Sequence, residues 1–129
     1  MRTHTHWHGW RYTGAGFSDP QRRRGEASSS YPPFEIAAFL DRRPDTILWT
    51  FEEPPKAVDW LKQAGTDHPP LDEAAFPLDT RLEYAQRTLS QEVGADVIWG
   101  YYARGQTYVA LALIACPRPD RICPQGLDR

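Results

Sequence analysis

The apolar positions change period several times along the chain, and each change marks an element. Residues 3–13 alternate, with Thr, His, Trp and Tyr dominating, which predicts a strand. Residues 14–33 lose the pattern: three Gly, three Pro and four Ser surround Arg22-Arg23-Arg24, so a long loop is expected. From Pro33 to Arg43, Phe34, Ala37, Ala38 and Leu40 recur near one helical face, and Pro44 stops the run. Thr46 to Phe51 (TILWTF) reads as a short buried strand. Pro54 and Pro55 suit the first turn of a helix whose inner stripe is Ala57, Val58, Leu61 and Ala64, with Gly65 as its end signal.

Residues 66–78 are a second loop, rich in Pro and Asp. Asp79 or Thr80 caps the strongest helix, which carries Leu82, Ala85, Leu89 and Val93 inward before Gly94 closes it. Two apolar runs, Asp96 to Ala103 and Gln106 to Cys116, flank Arg104-Gly105 in the pattern of a hairpin. The order is therefore β-α-β-α-α-β-β. It predicts one α+β domain over residues 1–116, with about four strands in a mainly antiparallel sheet, three helices on one face, and a Pro-rich tail over 117–129. The last strand, YVALALIAC, is apolar on both faces. Its second face needs cover from the long loop, the tail or another copy, and a homodimer is the simplest solution.

Length and composition change this picture little. A chain of 129 residues with 40% hydrophobic content suits one domain with its own core. No run approaches the roughly 18 apolar residues of a membrane helix. Met1 to Trp10 holds no apolar signal segment, so a cytoplasmic location is expected. The 13 Arg against two Lys fit the high-GC coding of many bacteria. Net charge is +3 over residues 1–33, −7 over 34–98 and +2 over 99–129, for a total of −2. That distribution lacks a dominant basic face and argues against nucleic acid as a partner.

Three of the four histidines, His4, His6 and His8, fall on one face of the predicted strand. Neighbours in that array stand roughly 6.6 Å apart, so two of them can share a divalent metal, zinc or similar. The other ligands would come from elsewhere, with Asp67, His68 and the two cysteines as the available groups. The segment His6-Trp7-His8-Gly9 resembles the H-W-H-G copper-binding segment of multicopper oxidases over those four positions. That family also requires several cupredoxin domains and further His-x-His and His-Cys-His segments, which this chain lacks.

Other groups point to binding rather than catalysis. Arg22, Arg23 and Arg24, with Ser28 to Ser30 close by, could grip a small anionic ligand. Trp7, Trp10, Arg11 and Tyr12 add the residue types that dominate binding hot spots. Cys116 and Cys123 have no recognised zinc or redox spacing: the first reads as a small apolar strand residue, the second as a tail thiol. Glu52 and Glu53 read as favourable charge before a helix N-terminus. His68 is a possible base, but nothing pairs it with a nucleophile. The expected function is a small accessory or partner-binding protein that uses the aromatic and Arg-rich N-terminal strand and loop, with no cofactor required. The alternatives are a small metal-dependent enzyme with a His-x-His site, and a small-molecule or phosphate-binding domain.

Overall fold

The computed structural model describes residues 5–16, 32–33, 35–91, 95–119 and 121–126. Four strands form one antiparallel sheet: β1 (His6–Gly14), β2 (Trp49–Phe51), β3 (Val97–Tyr102) and β4 (Tyr108–Cys116), in the order β2-β1-β4-β3. The two nine-residue strands, β1 and β4, lie in the centre and pair over their whole length, from His6↔Cys116 to Gly14↔Tyr108. The β3–β4 hairpin turns at Gly105, whose φ of 74° is the left-handed backbone that glycine adopts without steric cost. The α+β class, the antiparallel sheet and the element order agree with the pattern of the sequence.

Two α-helices, α1 (Pro54–Asp67) and α2 (Leu78–Leu89), cover one face of the sheet. There Trp7, Trp99, Tyr101, Val109, Leu111 and Leu113 meet Ala57, Leu61, Ala85 and Leu89. Gly9 lets the α1 residue Trp60 come close to β1, since a Cβ there would stand 3.3 Å from the indole. Gly65 is not the stop of α1, which runs on to Asp67. It is a packing position, where any Cβ would collide with Leu78 of α2. Helix α2 begins at Leu78 and ends at Leu89. Residues 92–94, and with them the expected Val93 stripe position and Gly94 stop, lie outside the described residues.

The opposite face differs from the expectation in a way that matters for function. The first helical segment is a short 3-10 helix, Ile36–Asp41, and it packs on this other face rather than beside α1 and α2. Its Phe39 and Leu40 join Trp10, Ala112, Ile114, Cys116 and Cys123 in a second core. A six-residue segment bounded by Pro44 buries too narrow a stripe to compete for the helical face. Part of the expected second strand is likewise a 3-10 turn, Pro44–Thr46, which leaves only Trp49–Phe51 paired with β1. Thr46 is held there by Trp10, whose Nε1 donates to its Oγ1 at 2.9 Å.

The stretch expected to trail as a tail folds back on this face, with Cys123 buried. Arg118 fastens it to Asp96 (2.8 Å), and Arg121 reaches Asp41 (3.2 Å). Cover for the second face thus comes from within the chain around β1 and β4, which weakens the burial argument for a homodimer. No described helix is long and apolar enough to cross a membrane.

Candidate metal centre

The second core encloses the chemistry. On β1, the alternation of the strand turns His6, His8 and Trp10 toward it. On β4, the same alternation delivers Ala112, Ile114 and Cys116. The register sets Cys116 directly across from His6 and Ile114 across from His8. Cys123 arrives from the returning C-terminal segment. The ligand atoms of His6, His8, Cys116 and Cys123 all lie within 4.8 Å of one another, and all four residues are buried.

The two imidazole-to-Cys123 distances come near those around a tetrahedral ion, and the widest pair, at up to 4.8 Å, would have to close by about 1 Å. Zinc with Zn–S of about 2.3 Å and Zn–N of about 2.0 Å requires ligand-to-ligand edges of roughly 3.3–3.8 Å. His8 Nε2 stands 3.2 Å from Cys123 Sγ, and His6 Nε2 stands 3.5 Å from the same sulfur. Two imidazoles and two thiolates also suit the burial: the thiolate charges cancel those of a divalent ion, so no net charge is left in the apolar surroundings.

Neighbouring groups prepare His8 for coordination. Its Nδ1 lies 2.9 Å from Thr50 Oγ1, and that hydroxyl donates its single hydrogen to Gln125 Oε1 at 3.0 Å. Thr50 therefore accepts from Nδ1–H, and the lone pair is left on Nε2, the nitrogen that faces Cys123. Burial, with a smaller contribution from His6, lowers the His8 pKa from 6.5 to about 4, so the ring is neutral at neutral pH. Trp10 closes the other side of His8, with ring centroids 6.1 Å apart.

The structure separates the remaining expected site residues. His4 and Arg22 to Arg24 lie outside the described residues. Trp7 and Trp10 are buried on opposite faces of the sheet, so neither indole presents a surface to a partner. Trp7 instead holds Ala95 through its Nε1 (2.8 Å). Arg11 is exposed, and Tyr12 turns its hydroxyl to the Ala15 carbonyl (2.7 Å). His68 and Asp67 do not join the histidine cluster. His68 caps the C-terminus of α1 and lines a separate cavity of about 430 Å³ with Asp67, Pro70, Leu71 and Arg104.

Cys116 and Cys123 are the site residues that spacing alone undervalued. The signal for them was the H-x-H pair itself, which needs further ligands. Which ligands come near depends on strand register and chain return, and neither is written in local spacing. No family model matches this chain, and neither a curated protein nor a solved structure matches it.

Proposed function

We propose that this protein is a zinc-binding domain of accessory, non-catalytic type, whose Cys2His2 centre fastens the C-terminal segment to the two central strands. The observation that carries this reading is the convergence of four buried donor atoms within 4.8 Å. Four protein ligands complete a tetrahedral shell and leave no position for water or substrate, the arrangement of a structural site. Two thiolates with two imidazoles favour zinc over magnesium or calcium, which take oxygen ligands, and the tetrahedral set disfavours copper(II). The ion would join segments more than 100 residues apart in sequence, a long-range constraint that adds its binding energy to folding.

Metal content of untagged protein purified without chelator tests this reading. One zinc per chain is expected, and in its place cobalt(II) should show the intense visible bands of a tetrahedral thiolate site. Cys116→Ser and His8→Ala should each abolish stoichiometric binding. Purified protein that stays metal-free after zinc is supplied would sink the proposal. A cobalt spectrum altered by added cyanide would reveal an open position and favour the metal-dependent enzyme instead.

A further inference from the structure

We infer that Cys123 and Cys116 form a peroxide-sensitive pair, with Cys123 oxidised first and Cys116 resolving it to a disulfide that expels the metal. This inference rests on the zinc reading above. Both sulfurs belong to the group of ligand atoms within 4.8 Å of one another, so a disulfide of about 2.05 Å needs a closure of at most about 2.8 Å. Cys123 sits among described residues 121–126, which belong to no helix or strand of the sheet and can supply that movement more readily than central strand β4.

The two cysteines differ in access. Both are almost fully covered, at 1% and 2% exposure. Cys123, however, forms part of the wall of a cavity of about 740 Å³ that opens between the 3-10 segment and the C-terminal return. Leu40, Arg42, Arg118, Arg121 and Ile122 also line it, and Cys116 does not. A small uncharged oxidant such as hydrogen peroxide can enter this space and reach the wall that Cys123 shares, with the sulfur itself lying just behind it against His6 and His8.

The chemistry balances with peroxide as the oxidant. The Cys123 thiolate attacks one peroxide oxygen, an S–O bond forms, the O–O bond breaks, and hydroxide leaves and is protonated to water. The sulfenic acid so formed is then attacked at sulfur by the Cys116 thiolate. An S–S bond forms, the S–O bond breaks, and a second hydroxide leaves as water. Two thiolates together lose two electrons, one peroxide gains them, and two protons are consumed. Zinc does not change oxidation state and departs because two of its four ligands are gone.

Zinc-loaded full-length protein treated with hydrogen peroxide tests the inference, with released zinc followed by a chromogenic chelator and the protein by intact and peptide mass spectrometry. Zinc release should track one Cys116–Cys123 disulfide per ion, and a dithiol reductant with fresh zinc should restore the starting state. In Cys116→Ser, which holds no stoichiometric zinc and is treated as the metal-free protein, oxidation should halt at a sulfenic acid on Cys123, trapped by dimedone, whereas metal-free Cys123→Ser should leave Cys116 unlabelled. Zinc that stays bound at peroxide levels sufficient to oxidise a free cysteine peptide would overturn this inference and leave the metal reading standing. Release without the disulfide, or dimedone on Cys116 instead of Cys123, would overturn it as well. Protein that takes up no zinc at the outset would overturn both readings together.

Discussion

His6 faces Cys116 directly across the β1–β4 ladder, the first and last partners of the nine-residue pairing between the two central strands. One cross-strand neighbour pair therefore supplies half of the candidate metal centre. His8, two residues along the same face, and Cys123, from the returning chain, supply the other half. The site depends on the sheet register. A slip of one residue would turn Cys116 to the helical face and leave the histidines without their cross-strand thiolate.

Removing the metal should loosen the C-terminal return before the rest of the domain. A strong chelator is expected to lower the melting temperature by on the order of 10 °C or more, the shift that a loss of several kcal/mol produces in a domain of this size. Limited trypsin digestion should then cleave after Arg121 much faster than in the zinc form. Identical melting and digestion with and without chelator would count against a structural ion.

Thr50 orients His8 without touching the metal position, since it accepts from Nδ1 and donates to Gln125. Thr50→Val should keep one zinc per chain but weaken its affinity by about 10- to 100-fold. Competition against a chelator of known affinity measures this, and an unchanged affinity would remove Thr50 from the site's support.

Asp96 ties three pieces of chain together. Its Oδ1 accepts from the Ala115 amide (2.7 Å) and from Arg118 Nη1 (3.0 Å), while Oδ2 accepts from Arg118 again (2.8 Å). Both partners of the ion pair are largely buried, with side-chain exposures of 21% and 15%. Asp96→Ala removes the carboxylate that pairs with a largely buried guanidinium and takes the acceptor from the Ala115 amide, so a loss of about 1–3 kcal/mol is expected. Urea denaturation should show a lower midpoint with an unchanged slope.

Alkaline pH should weaken the helical face through Tyr101. Burial raises the pKa of its phenol above the ordinary 10.0, against a smaller opposing effect of Arg81, and the hydroxyl donates to the His68 carbonyl at 2.8 Å. The folded state thus holds its proton more tightly than the unfolded chain. This contribution is complete below pH 10 and is lost as pH rises through the raised folded value. Denaturant midpoints taken from pH 9 upward should fall more steeply for the native protein than for Tyr101→Phe. Equal slopes would show that Tyr101 titrates as it does in the unfolded chain.

The departures from the expected elements share one cause. Leu40 is buried as its apolar spacing implies, with Phe39 beside it, yet the stretch before Pro44 closes as a six-residue 3-10 segment on the opposite face. Gly65 resembled a helix stop because sequence shows a missing side chain, not the leucine that occupies its place. Trp7 and Trp10 suggested a binding surface by residue type, but strand position turned them into the two cores. In each case local chemistry was legible and the neighbour was not.

The sequence by itself determined the α+β class, the element order, the β3–β4 hairpin around Gly105 and the shared face of His6 and His8. Those features follow from periodicity and turn chemistry, which act over a few residues. Only the tertiary structure decided the strand order β2-β1-β4-β3, the register that sets Cys116 against His6, and the return that buries Cys123 beside both histidines. The contacts that build the site join residues 110 or more positions apart. They are fixed by how two apolar sheet faces find cover, and that balance belongs to the whole chain rather than to any window of it.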